Sequence, residues 1–235
     1  MFLGTTLTAL FLVAPLWAAE SGHTTGVFFG CRPKGEGGDA ELSKQKNRDL
    51  PPRSYKPTTI ATILAEEPAA AAEGKRDRDR WTPDERKEVR RFEATGISVV
   101  GYVANVKKLG KEACNCGSTE HVDHHVWLVA KPKQKQSQGM VVEISPRLIE
   151  KHPHDASFVV HPDWPALLRK AKRNGDLVRI SGWRTWDQEH PEQLKPAKNR
   201  GATRATLWEI HPIHKIEVRD ADGTWIDIEE AAQHE

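Results

Sequence analysis

The sequence predicts a mostly β protein, an OB-like five-stranded Greek-key barrel with one helix between the third and fourth strands. Two observations carry that prediction. Three runs rich in β-branched residues are followed by a helix signal and then by two more such runs, the element order of that fold. Seven of the 8 tryptophans, from Trp81 to Trp225, lie in the last two thirds of the chain, which places the packed core there. With 235 residues and 37% hydrophobic content, the chain supplies one ordinary core. A two-sheet sandwich with one helix is the competing arrangement.

The elements follow in order. Residues 1–19 read as a secretory leader, with an apolar run from Leu7 to Trp17 followed by the small residues Ala18 and Ala19. The run is too short to span a bilayer comfortably, which favours a cleaved peptide and no stable membrane span afterwards. No Lys or Arg precedes it, so the terminal amine is the only charge on that side. The expected location is therefore secreted or periplasmic. Residues 20–80 are polar and broken by Gly and Pro, with "TTIATILAEE" as their only apolar element, and are expected to form a partly ordered wrapping arm.

The barrel domain is expected over residues 81–235. It opens with "WTPDERKEVRRFEATG", where Thr82, Pro83 and Glu85 make a helix start: a hydroxyl cap, a first-turn proline and a carboxylate three residues on. Val89 and Phe92 share one face, and Gly96 ends the helix. Strands are expected at Ile97–Lys108, His124–Pro132 and Met140–Ser145. Asp163 and Pro165 then start a helix that Asn174-Gly175 stops. Strands four and five follow at Asp176–Asp187 and Ile213–Asp220, and "TWIDIEE" supplies a further edge strand. On the second strand, alternation turns Val126, Leu128 and Ala130 inward and His125, Trp127 and Val129 outward.

The runs "VVGYVANVKKLGKEACNC", "VDHHVWLV", "GMVVEISP" and "RATLWEIHPIHKIEV" resemble a group of exported bacterial proteins of uncharacterised function with a single OB-like barrel. The likeness covers roughly residues 81–225, with a weaker echo at "GGDAELSKQKNR". It implies the fold and export, and it lends no catalytic residue.

The stretch "CNCGSTEHVDHHVWLV" raises the question of metal. Cys114, Cys116 and His121, with His124 and His125 close by, are zinc-ligand types. Their spacing is not that of the paired structural zinc motifs, and His124 and His125 point to opposite sheet faces. The favoured reading is a loop between strands one and two, tied by a disulfide. In an oxidising compartment Cys31, Cys114 and Cys116 form one bridge and leave one thiol. Cys31 can pair with Cys114 or Cys116, while a Cys114–Cys116 bridge is strained.

Four His-Pro pairs mark strand ends or loops: His152-Pro153, His161-Pro162, His190-Pro191 and His211-Pro212. His190 and His211 bracket the long loop between strands four and five, a loop that commonly frames an OB ligand site. Glu209 and His211 are expected to bond buried backbone where the chain crosses the barrel, with Trp208 in the core.

No nucleophile or zincin motif is present, so the sequence points to non-catalytic binding on the outer barrel face. The expected contacts are Trp127 stacking on a ligand, His125 and Glu143 as polar partners, His190 and His211 along one rim, and Trp186 as a further ligand contact. The ligand class is oligosaccharide, protein or single-stranded nucleic acid. A net charge of +2 does not favour nucleic acid, although Arg184 lies beside Trp183 and Trp186. The alternative is a zinc-binding or hydrolytic protein built on the Cys114/Cys116/His cluster. A monomer is expected.

Overall fold

The computed structural model describes residues 26–69, 78–151, 163–195 and 201–233. The leader over residues 1–19 and the pairs His152-Pro153 and His161-Pro162 lie outside the described residues. The barrel is closed and has the expected connectivity. Its strands are β2 (Gly96–Lys108), β3 (His124–Val129), β4 (Met140–Ile144), β5 (Leu177–Trp186) and β6 (Trp208–Arg219). The order β2-β3-β4-β6-β5 is closed by antiparallel pairing of β2 with β5. β4 and β6 pair in parallel, and the remaining barrel neighbours are antiparallel. Such closure removes sheet edges that would otherwise invite pairing with other chains.

The alternation read from the sequence fills the barrel, except that Ala130, expected inward, lies past the end of β3 and is exposed. Val99, Val126, Leu128, Met140, Val142, Val178, Ile180, Ile210 and Ile216 are all buried in one core. Each large side chain so buried contributes roughly 1.5–3 kcal/mol. The bends needed for closure fall where the register shifts, between Val103 and Asn105 and around Gly182. A Cβ on Gly182 would lie 2.2 Å from the Pro212 carbonyl oxygen, so only glycine permits that approach.

Helices cover the barrel. Of these, α1 (Ala40–Lys46) and α2 (Ile60–Ala65) belong to the arm, and α3 (Pro83–Glu93) precedes the first barrel strand. α3 has the full capping box: Glu85 N donates to Thr82 Oγ1, and Thr82 N donates to the Glu85 carboxylate at 2.6 Å. The interval between β4 and β5 holds two helices rather than one, α4 (Pro146–Lys151) and α5 (Trp164–Asn174). α5 buries Trp164, Leu168 and Ala171, an i, i+4, i+7 stripe, and ends on Gly175 at φ +77°. Its expected cap differs, because the Asp163 side chain accepts no capping hydrogen bond. β7 (Trp225–Asp227) pairs with β6 as the expected edge strand, and α6 (Ile228–Gln233) replaces its predicted continuation. Among the described residues no helix is long and apolar enough to cross a membrane.

The arm is more regular than its composition suggested. β1 (Lys56–Thr58) pairs in parallel with β2, extending the sheet beyond the barrel. Polar side chains anchor it. Arg48 donates to the carbonyls of Glu93 and Arg184 and to Thr185 Oγ1, and its charge lies over the Trp183 ring at 4.6 Å. Arg78 grips both carboxylate oxygens of Glu93 at 2.8 and 2.7 Å while donating to the Trp186 carbonyl. Cys31 is bonded to Cys116, which resolves the open pairing and fastens the arm to the loop between β2 and β3. That loop lies against the arm at Gly35: Glu36 N donates to the Ala113 carbonyl, and a Cβ at Gly35 would lie 2.3 Å from the same oxygen.

Candidate metal centre

Side chains two apart on a strand share a face. On β3 and β4 the outward face carries His125 and Glu143, which are direct cross-strand partners. On β6 the same face carries Glu209, paired with Val141 and Thr185, and then His211. The barrel thus gathers two imidazoles and two carboxylates on its outer side. The arm and the β2–β3 loop roof them over. Lys46 and Asn47 descend from α1, and Glu112, Cys114, Asn115 and Asp123 come from the loop. Asn47 fixes the roof by donating to the Cys114 and Pro33 carbonyls while accepting from Arg147.

The result is a buried polar cluster. Asp123 and Glu143 are 0% exposed, and His211 is 1% exposed. His211 lies among three carboxylates: Nδ1 is 3.4 Å from Glu143 and 3.7 Å from Glu209, and Nε2 is 3.9 Å from Asp123. His125 Nε2 approaches Glu143 Oε1 to 2.7 Å without hydrogen-bonding alignment. Glu143 Oε1 and Oε2, Asp123 Oδ1, Glu209 Oε2 and His211 Nδ1 are buried and have no hydrogen-bond partner. Orphaned buried polar atoms of this kind are costly, about 1–3 kcal/mol each and more for charged groups. Four of the five face an oppositely charged group, and the fifth, Asp123 Oδ1, lies 3.9 Å from His211, so the cluster is a candidate position for a ligand.

Charge balance points to a cation. Lys46 pairs with Asp187 at 3.2 Å, and Arg204 lies between Asp187 and Glu209. Those two cations are therefore matched to those two carboxylates. Among the described residues, no Lys or Arg forms an ion pair with Asp123 or Glu143, and once Asp123 gives up its proton these two carboxylates match the charge of one divalent ion. Without an ion, the histidines must serve. Burial disfavours charge on His211, but the facing Glu143, Glu209 and Asp123 carboxylates outweigh it and hold its pKa at about 10. Burial pushes Glu143 upward, yet His125, His211 and Lys46 bring it well below the ordinary carboxylate range. Burial pushes Asp123 well above that range against the pull of His211, with Glu112 and Glu143 adding like-charge repulsion.

Three overlapping triads bring ligand atoms within 4.8 Å of one another: Asp123, Glu143 and His211; Glu112, His125 and Glu143; and Glu112, Cys114 and Asp123. That spread is comparable to the diameter of a zinc coordination shell, whose bonds to nitrogen and oxygen are about 2.0–2.2 Å. The first triad is wholly buried. A cleft of about 150 Å³ lined by Lys46, Glu112, Cys114, Glu189 and His190, among others, meets the other two triads at Glu112 and Cys114.

The residues expected at a site are redistributed. His125, Glu143 and His211 come together, though under the roof rather than on an open face. Trp127 faces outward as alternation requires, but it is only 5% exposed and packs edge-on to His125, so it offers no stacking surface. Trp186 is a core residue, edge-on at 4.9 Å to its cross-strand partner Trp208, on the same side of β5 as Val178 and Ile180. His190 stays half-buried at the cleft, 3.2 Å from Glu192. Of the proposed metal ligands, Cys116 is consumed by the disulfide and His121 stacks on Phe29 at 4.0 Å; only Cys114 remains, free and buried. Glu209 and His211 are buried as expected, but their partners are side chains, not backbone: Arg204 from the β5–β6 connection for Glu209, and Glu143, Glu209 and Asp123 for His211.

Asp123, Glu112 and Lys46 were missed. Asp123 stands in the quoted "VDHH" run, where a carboxylate beside histidines was a usable signal; nothing local marks Lys46, whose burial arises from the docking of α1. No protein-family model, curated protein or solved structure matches this chain.

Proposed function

We propose that this protein is an exported, non-catalytic binding protein that holds a divalent transition-metal ion of the zinc class on the roofed outer face of its barrel. Asp123, Glu143 and His211 are the ligands, with His125 and Glu209 adjacent. The observation that carries this reading is the set of buried carboxylate and imidazole atoms left without hydrogen-bond partners. A mixed nitrogen and oxygen donor set suits zinc and its neighbours better than magnesium or calcium, which take oxygen ligands. Export is part of the proposal. The Cys31–Cys116 disulfide belongs to an oxidising compartment, and the apolar leader over residues 1–19 supplies the route.

Metal analysis of protein purified without an affinity tag tests it. Bound zinc-class metal is expected in the parent, and its loss in the double variant Asp123→Asn/Glu143→Gln. Parent protein that stays metal-free after dialysis against zinc would overturn the reading.

A further inference from the structure

The wholly buried triad leaves the cleft floor unexplained. Cys114 is a free thiol, 4% exposed, on the short turn that also holds the disulfide partner Cys116. Its Sγ lies 3.5 Å from Asp123 Oδ2 and 3.6 Å from Glu112 Oε2, and the three groups form a triad of their own. Asp123 belongs to both this triad and the buried one. Its Oδ2 accepts from Asn115 Nδ2 at 2.7 Å and also faces the thiol, whereas its unpartnered Oδ1 faces His211. A carboxylate so placed, with one oxygen toward each group, has the disposition of a bridging ligand. Glu112 and Cys114 also line the cleft, so this second group is the one open to the outside.

Resting on the metal-binding reading above, we infer that the centre holds two ions in series: an inner one on Asp123, Glu143 and His211, and an outer one on Cys114, Glu112 and the shared Asp123. The charges agree. Glu112, Asp123, Glu143 and a Cys114 thiolate together carry the charge that two divalent ions neutralise, while Lys46 and Arg204 are committed to Asp187 and Glu209. A thiolate in the outer position selects thiophilic ions such as zinc and cadmium over magnesium and calcium. The thiol gives up its proton to solvent through the cleft as the ion binds, and no oxidant or reductant is required.

Cadmium titration of the full chain, without reductant so that the disulfide persists, tests this. Two equivalents are expected to bind, with the ultraviolet thiolate-to-cadmium charge-transfer band growing in step with one of them. Cys114→Ser, a near-isosteric change, is expected to abolish the band and one equivalent and to keep the other. Glu112→Gln leaves the thiol in place and is expected to weaken the outer equivalent by about 10-fold or more. One equivalent without the band overturns the outer site and leaves the inner one standing. A single equivalent that carries the band and vanishes entirely in Cys114→Ser overturns the two-ion arrangement. Failure to bind any cadmium overturns the metal reading itself.

Discussion

The Cys31–Cys116 bridge closes a loop of 85 residues that includes α1, α2, α3 and β2, and it holds the arm over the polar cluster. Its main effect falls on the unfolded chain, whose freedom it restricts. Loop-closure entropy for that length corresponds to about 4–5 kcal/mol at 25 °C. The folded arm keeps its other anchors without the bridge: Arg48 on the Glu93 and Arg184 carbonyls, and Arg147 on Asn47 and the Cys31 carbonyl. The native fold should therefore survive in the double variant Cys31→Ser/Cys116→Ser. Replacing both residues also leaves no partner thiol for Cys114. The assay is equilibrium urea unfolding of parent and variant, each with a metal chelator so that bound ions do not contribute. A loss of about 4–5 kcal/mol is expected, with near-ultraviolet circular dichroism unchanged before unfolding. A loss below about 1 kcal/mol would refute the entropic argument, and a lost native spectrum would show that the bridge holds the folded arm as well.

Three further outcomes follow from burial and charge. Arg78→Met leaves the Glu93 carboxylate buried without its bidentate partner, and should cost about 3–5 kcal/mol in urea unfolding; a loss under 1 kcal/mol would contradict the assigned pairing. Trp127→Ala should lower stability by about 3–5 kcal/mol without altering metal stoichiometry, as befits a buried side chain; an undiminished stability would mean the ring is exposed after all. Asp187 predicts an acid dependence. Burial alone would raise its pKa, but Lys46 and Arg204 outweigh burial and hold it below the ordinary range. Its contribution is therefore complete above the unfolded value of about 3.9 and is lost as pH falls through the lower folded value. Stability of metal-free parent should fall more steeply than that of Asp187→Asn below about pH 4, and parallel acid limbs would sink the assignment.

The barrel was legible because each strand repeats a period-two pattern and each bounding turn has its own chemistry. Val126 and Leu128 alternate with His125 and Trp127, and that alternation alone fixes which residues enter the core. The Thr82–Glu85 box and Gly175 were readable for the same reason, since caps depend on residues a few positions apart. What the sequence hid was the cover. Alternation says that Trp127 points outward, but not that outward is dry. Burial there depends on the arm and the β2–β3 loop, held by contacts such as Asn47 to the Cys114 carbonyl, 67 residues away in sequence. The same gap misdirected the metal reading, which sought ligands among neighbours in the chain. The proposed centre draws instead on three barrel strands and a loop, and one of the cysteines that looked like a ligand is bound to the arm.

The proposed function requires a cation seated among Asp123, Glu143 and His211. Anomalous X-ray scattering at the zinc edge, from crystals of the full chain grown with zinc, locates such an ion without reference to activity or folding. An anomalous peak is expected within coordination distance of the Glu143 carboxylate and the His211 ring. Zinc-loaded crystals with scattering only at surface histidines such as His190, and none beneath the roof, would contradict it.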